Sequence, residues 1–140
     1  MYTYRYPRPA LTVDAIVLKR ETNELLLIQR AKDPFAGKWA LPGGFVEMGE
    51  LLVDSCRREL EEETGLKLQE LIQLKTYDAI DRDPRERIIS VVFYGFADRD
   101  AMVSGADDAL RAAWFPLDQL PELAFDHDVI ISDFKAELIP

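Results

Sequence analysis

Residues 44–66 constrain the fold of this 140-residue chain more than any other segment. The segment opens with a glycine pair behind Pro42, has no glycine or proline at positions 50–64, and then meets Gly65. An uninterrupted run followed by a glycine is typical of one long helix that ends in a left-handed cap. The glycine pair permits unusual backbone dihedrals and the close approach of a ligand.

The acidic side chains of this helix are badly placed if the helix only has to be stable. Glutamates occupy positions 59, 61, 62 and 63, near the C-terminal end where the helix dipole disfavours negative charge. On a helical wheel, Glu63 falls inside the apolar arc and Glu59 about 20° outside it, whereas Glu61 points to the opposite side. A simple solvated face would explain neither observation. Carboxylates beside apolar surface require a compensating cation, and their oxygens suit Mg²⁺, Mn²⁺ or Ca²⁺.

Composition and charge limit the function classes. The length and a hydrophobic content of 48% predict a single globular domain over residues 1–140. A net charge of −9 argues against a nucleic-acid or anionic-membrane partner. No apolar run has membrane-spanning length and the N-terminus lacks a hydrophobic signal region, so we expect a cytoplasmic protein. The single cysteine, Cys56, excludes an internal disulfide and lies on the apolar arc, which favours packing.

Alternating and continuous apolar runs outside the helix predict strands. A hairpin with its turn at Asn23 is followed by loops and further strands, and a second helix begins after Asp126 or Asp128. The clearest strands are Leu11 to Leu18, Leu25 to Arg30 and Ile88 to Phe96, and the second helix has an apolar stripe of Val129, Ile130, Phe134 and Leu138. About six or more strands with two helices predict an α+β fold, an α/β/α sandwich with a mixed sheet.

Several side chains outside the acidic helix have two readings each. Arg30, at the end of a strand, fits either a phosphate contact or a surface ion pair. Phe35, in the loop that follows, is either a packing plug or a pocket wall, and Tyr6 either packs or stacks on a planar ligand. For the lone histidine, His127, structural hydrogen bonding is favoured over catalysis.

The acidic segment resembles the signature of the Nudix hydrolases. That signature is Gly, five residues, Glu, seven residues, Arg-Glu-aliphatic, any residue, Glu-Glu, any residue, Gly-aliphatic. Every fixed position is met, by Gly44, Glu50, Arg58, Glu59, Leu60, Glu62, Glu63, Gly65 and Leu66. The position that the signature leaves free is Glu61, which the wheel places on the water side.

The resemblance implies a Nudix α/β/α sandwich that cleaves nucleoside diphosphate derivatives with Mg²⁺ or Mn²⁺. It implies that Glu59 and Glu63 are the main metal ligands, with Glu62 as a further ligand or water activator. A backbone carbonyl near Gly43 or Gly44 is implied as another ligand. The resemblance also implies two further catalytic residues. Arg58 orients the carboxylates, and it does so through Glu50.

Softer motifs outside the signature resemble the ADP-ribose pyrophosphatase branch of the family. They are Tyr6 to Pro9, Asp81 to Arg85, Trp114 to Leu117 and Leu123 to His127. The expected substrate is therefore a small nucleotide, ADP-ribose, cleaved to AMP and ribose 5-phosphate. The expected substrate-binding residues are Arg30, Arg82, Arg85, Phe35 and Tyr6.

Three alternatives stay open. Relatives often carry a glutamate before Trp114 where this chain has alanine, so the general base is Glu62, Asp107 or Asp108, with Glu62 favoured. The activity could instead be hydrolysis of nucleoside triphosphates or damaged nucleotides, or the domain could be a non-catalytic ADP-ribose sensor. The complete signature argues against the sensor. Relatives in this branch are often homodimers, sometimes with a crossing N-terminal segment, and a homodimer is an option here.

Overall fold

One mixed sheet with a helix on each face makes up the fold. The computed structural model describes residues 3–105 and 109–139. In this part of the chain the strands are β1 Ala10–Lys19, β2 Glu24–Arg30, β3 Trp39–Ala40, β4 Gly43–Phe45, β5 Ile72–Tyr77, β6 Ile88–Ala97 and β7 Ala109–Pro116, and the helices are α1 Leu52–Thr64 and α2 His127–Leu138. Neither of these helices has the length and apolar character needed to cross a membrane. The predicted α+β sandwich with a mixed sheet is confirmed.

The central strand β1 changes its partner along one edge, and this change positions the site. On its other edge it runs parallel to β6, from Ala10 beside Ile88 to Lys19 beside Ala97. On the changing edge, Leu18 and Lys19 pair with β2, whereas residues 12–14 pair with β4. The strand order is β3-β2-β1-β6-β5, with β7 also paired to β2. Because β2 and β4 share one edge of β1, the surface opens between them.

Alternation along β1 divides the core into two layers. Val13, Ala15 and Val17 pack in one cluster with Cys56 and Leu60 of α1. Residues 16 and 18 point the other way and pack in a second cluster with residues 130, 131 and 134 of α2. Burial on both faces explains why this strand reads as a nearly continuous apolar run.

The boundaries of α1 follow from its sequence. The helix ends at Thr64, and Gly65 takes a left-handed φ of 76° while its N–H donates to the carbonyl of Glu61. Leu51 stands at the N-cap without a side-chain cap. The predicted glycine cap is therefore present, and the helix begins at Leu52.

Two expectations about α2 need correction. The predicted apolar stripe of α2 is partly wrong, since Val129 and Leu138 are 50% and 38% exposed, whereas Ile131 is buried with Ile130 and Phe134. Asp126 is at the N-cap position, but its carboxylate accepts hydrogen bonds from Arg82 and makes no cap. Residues 3–9 form no strand. The strand β7, which the sequence analysis did not name, is eight residues long.

Candidate active site

A cleft of about 400 Å³ lies where β1 changes from β2 to β4. Carboxylates of α1 line one part of it, and arginines and Phe125 line another. The predicted site residues that it brings together are Gly43, Glu59, Glu63, Arg58, Arg30, Arg82 and Arg85. Acidic and basic walls that face one space suit a ligand whose negative charge is shared between cations and the basic wall.

The four glutamates of α1 differ in exposure in the order given by the helical wheel. Glu63 is 5% exposed and the side chain of Glu59 is 16% exposed, and both line the cleft. The side chains of Glu62 and Glu61 are 44% and 52% exposed and do not line it. Helical periodicity alone therefore delivers one pair of carboxylates to the cleft.

Arg58 holds the acidic group together. Its guanidinium donates to both oxygens of Glu50 at 2.8 and 3.0 Å, to Glu59 at 2.9 Å and to Glu62 at 3.2 Å. These bonds from Arg58, with a smaller contribution from the Ser55 hydroxyl, lower the pKa of Glu50 from 4.5 to about 2. The same pairing raises the pKa of Arg58 above its ordinary value. One permanent cation thus orients three carboxylates.

The glycine pair lies against these carboxylates because it has no side chains. The N–H of Gly43 donates to Oε1 of Glu63 at 2.8 Å. A Cβ added at Gly44 would lie 2.5 Å from the carboxyl carbon of Glu59, and one at Gly43 would overlap Asp14 and the carbonyl of Val13. A larger residue at Gly43 would push the strand away from β1, and one at Gly44 would displace the carboxylate of Glu59.

The donor set fits a hard divalent cation. Within the described ranges, no three His, Cys, Asp or Glu side chains converge as a ready-made cation cage. Glu59 and Glu63 nevertheless lie beside the backbone of Gly43 and Gly44, and carboxylate and carbonyl oxygens are the ligands that Mg²⁺ and Mn²⁺ prefer. These residues could hold such an ion.

Two arginines of the opposite wall are fixed by aspartates. Arg82 is bidentate to Asp126 at 2.9 and 2.7 Å and its side chain is 4% exposed. Arg85 is bidentate to Asp83 at 3.0 and 2.7 Å. Burial would raise the pKa of Asp83, but the hydrogen bonds from Arg85 outweigh it and hold that pKa below its ordinary value. Both guanidiniums are therefore held in fixed orientations at the cleft.

Phe125 is the aromatic centre of the cleft. The guanidiniums of Arg30 and Arg85 lie 4.9 and 5.4 Å from its ring centroid. Phe35 meets it edge-on at 4.8 Å. Phe35 does not itself line the cleft, so it lies behind Phe125 and contacts it directly. The aromatic stack keeps two cations close to the ligand space.

Six predicted positions, Phe35 and Glu62 among them, lie outside the cleft lining or outside the described residues. Tyr6 is 68% exposed beside Arg5, and Glu50 acts on the site through Arg58. Asp107 and Asp108, which were considered as general bases, fall outside the described residues. The roles proposed for all of them stay predictions.

Asp14 and Phe125 are cleft residues that the sequence reading did not single out. Asp14 is a buried carboxylate whose Oδ2 accepts a hydrogen bond from Ser90. The sequence contains a signal for Asp14, because a charged residue within a largely apolar strand is unusual. His127, read as structural, also lines the cleft and accepts the N–H of Leu41 at 3.0 Å. Burial lowers the pKa of His127, which keeps its ring neutral at pH 7.

Comparison with known proteins gives the same family throughout. Residues 8–134 match the NUDIX domain. The chain is 46% identical over 129 residues to an ADP-ribose pyrophosphatase of Methanocaldococcus jannaschii, covering 92% of this chain and 75% of that protein. It is 33% identical to the ADPR responsive transcriptional repressor NtrR of Acinetobacter baylyi, covering 95% of this chain but only 56% of the repressor.

Solved structures agree with these sequence matches. The NUDIX domain of Shewanella oneidensis NrtR, crystallised with ADP ribose, superposes with a TM-score of 0.88 at 30% identity. That match covers 95% of this chain and 90% of the other. A MutT/nudix family protein from Enterococcus faecalis superposes with a TM-score of 0.84 at 33% identity, covering 97% of this chain and 64% of that one.

Proposed function

This chain belongs to the Nudix hydrolase family, and from that premise we propose that it hydrolyses ADP-ribose to AMP and ribose 5-phosphate with Mg²⁺ or Mn²⁺. One observation carries the proposal: Glu59 and Glu63 of a complete signature line a cleft that also contains three arginines from outside the signature. The 46% identity to an ADP-ribose pyrophosphatase supports the choice of substrate.

The acidic group would hold the metal ions. Glu59, Glu63 and the backbone near Gly43 are the proposed ligands, with Glu62 as a further ligand. When bound, divalent ions neutralise charge on the pyrophosphate and make water a better nucleophile. Arg58 orients these carboxylates, because its guanidinium binds Glu50, Glu59 and Glu62 together.

The hydrolysis requires one proton acceptor. The oxygen of water forms a bond to one phosphorus, the bridging P–O bond breaks, and the bridging oxygen leaves with the other phosphate. We propose Glu62 as the group that takes the proton, since it shares the guanidinium of Arg58 with Glu59. Asp107 and Asp108 are the competing candidates.

The basic wall would bind the rest of the substrate. Arg30 and Arg85, near the ring of Phe125, would contact phosphate oxygens. The side chain of Arg82 is only 4% exposed, and its Nε and Nη2 donate to Asp126, so Arg82 would contribute mainly through its charge and by fixing the loop. An acidic protein of net charge −9 needs such a local positive wall to accept a dianionic ligand.

A substrate panel tests the proposal. The purified chain is incubated with ADP-ribose, a nucleotide sugar, a dinucleotide and nucleoside triphosphates in Mg²⁺, and the products are separated by ion-exchange chromatography. We expect AMP and ribose 5-phosphate, with ADP-ribose turned over fastest. Preferred turnover of a triphosphate would replace the substrate assignment. Tight ADP-ribose binding without turnover of any compound would instead establish a sensor.

We further propose a cytoplasmic enzyme that acts on a small nucleotide without nucleic acid as a partner. The net charge of −9 supports the second part. The homodimer that the family resemblance raises as an option stays a prediction, and sedimentation equilibrium would measure it directly.

A further inference from the structure

The glycine pair is enclosed by carboxylates on both faces of β4. A Cβ at Gly44 would strike the carboxylate of Glu59 on the side of α1, and a Cβ at Gly43 would strike Asp14 on the side of α2. Successive residues of a strand point to opposite faces of the sheet, so Gly44 faces Glu59 and Gly43 faces Asp14. The strand is thus supported from behind, by residues that do not belong to the acidic group of α1.

The support behind β4 consists of three buried polar side chains, His127, Asp14 and Ser90, that lie next to one another. Nδ1 of His127 accepts the N–H of Leu41 at 3.0 Å, so the ring proton resides on Nε2. Nε2 lies 3.8 Å from Oδ1 of Asp14, and Oδ2 of Asp14 accepts the hydroxyl of Ser90. His127 and Asp14 are 4% and 7% exposed, and Ser90 is fully buried.

Three backbone groups of residues 41–43 make hydrogen bonds to three different elements of the fold. The N–H of Leu41 binds the side chain of His127 in α2, and the carbonyl of Pro42 accepts the N–H of Ala15 in β1. The N–H of Gly43 binds Glu63 in α1. The segment therefore lies between α2 on one side and the acidic group on the other.

We propose that His127 and Asp14 are positioning residues for the metal site, holding residues 41–44 where the backbone of Gly43 meets Glu63. The inference rests on the proposed function, because it takes Gly43 and Glu63 as ligands. A neutral histidine suits this role, since only its neutral form can accept the N–H of Leu41. Outer partners of this kind fix ligand orientation, and their loss typically weakens metal binding 10- to 100-fold.

Mn²⁺ binding without substrate tests the inference, with free Mn²⁺ measured by electron paramagnetic resonance. His127→Leu removes the acceptor, whereas His127→Asn places an amide oxygen near the position of Nδ1. We expect the Mn²⁺ Kd to rise about 10- to 100-fold in His127→Leu and Asp14→Ala, and to stay within about threefold of wild type in His127→Asn. Ser90→Ala is the milder variant should Asp14→Ala fail to fold, and we expect an intermediate rise.

Tyr77→Phe is the matched control. It removes a bond from the sheet to α2, the hydroxyl of Tyr77 to Asp133 at 2.8 Å, away from the cleft. We expect Tyr77→Phe to lower Tm without changing the Mn²⁺ Kd. An equal rise in Kd for Tyr77→Phe, or an unchanged Kd for His127→Leu, would overturn the positioning role while leaving the proposed function intact. If the wild-type chain binds no Mn²⁺, both proposals fail.

Discussion

Glu63 and Glu61 are two positions apart on α1 and have opposite environments. Glu63 is buried at the cleft and accepts the N–H of Gly43, whereas Glu61 is half exposed and 3.6 Å from Lys67. An exposed ion pair of this kind contributes about 0–1 kcal/mol. The same substitution, glutamate to glutamine, can therefore be compared at a buried and at an exposed position of one helix.

We therefore expect Glu63→Gln to reduce kcat for ADP-ribose at least about 100-fold, because it removes a proposed metal ligand. Glu61→Gln changes the charge equally and should leave kcat within about twofold. Steady-state kinetics at saturating Mg²⁺ measure both. Equal losses in the two variants would contradict the assignment of roles by helix face.

Glu50 gives a pH prediction with a definite sign. Its pKa is lowered from 4.5 to about 2, mainly by Arg58, so the folded state binds this proton less readily than the unfolded state. The pairing thus stabilises the fold above pH 4.5, and this contribution disappears as the pH falls towards 2.

We expect the free energy of unfolding to fall more steeply between pH 4.5 and pH 2 in the wild type than in Glu50→Gln, which lacks the titrating group. Urea denaturation at a series of pH values measures the slope. Glu61→Gln is the control and should keep the slope of the wild type. A Glu50→Gln profile parallel to that of the wild type would show that the pair does not contribute in this window.

The contact between β4 and α1 brings the backbone of Gly43 and Gly44 next to Glu63 and Glu59, the proposed metal ligands. The glycine pair allows β4 to lie directly on the carboxylates, and in this chain a Cβ at position 44 would overlap the carboxylate of Glu59. Gly49, in the turn before α1, has no atom within 4 Å of an added Cβ. Gly49 is therefore a control position for Gly44, because it lies in the same segment and lacks the close contact.

We expect Gly44→Ala to destabilise the chain by about 1–3 kcal/mol through overpacking and to weaken Mn²⁺ binding, because Glu59 must move. Gly49→Ala should be neutral or stabilise by up to about 1 kcal/mol through the entropy of the unfolded state. Thermal unfolding and Mn²⁺ titration compare the two variants. Tolerance of alanine at position 44 would mean that the close approach of β4 to Glu59 is not required.

The fold as a whole places the site between its two layers. The cleft receives carboxylates from α1, strand ends from β1, β2 and β4, and polar groups from the start of α2. A ligand in the cleft therefore contacts elements of both core layers, and its binding should stabilise the domain as one unit.

We expect a single thermal transition whose Tm rises by about 5–10 °C with Mg²⁺ and α,β-methylene ADP-ribose together at about 100 times Kd, corresponding to about 2.7 kcal/mol. The joint shift should exceed the sum of the separate shifts, because the metal joins acidic ligands to phosphate. Glu63→Gln should lose this excess. Differential scanning fluorimetry measures all three conditions, and strictly additive shifts in the wild type would contradict a shared site.

The sequence by itself determined the features that arise from local periodicity. A helix repeats about every 3.6 residues, so the positions of four glutamates on α1 followed from the wheel, and a glycine at position 65 predicted the end of the helix. The hairpin of β1 and β2 and the strand β6 followed in the same way from apolar runs and a turn. The stripe of α2 was less certain, because several adjacent apolar residues fit more than one face.

Only the tertiary structure decided which distant groups meet. Arg82 finds Asp126 over a separation of 44 residues, and Leu41 finds His127 over 86. Such contacts depend on strand order and register, which no local pattern specifies. The change of partner along β1 opened the cleft, and the pleat of β4 placed Glu59 and Asp14 on opposite sides of the glycine pair. The acidic helix could therefore be predicted from the sequence, whereas the positions of His127 and Asp14 behind β4 could not.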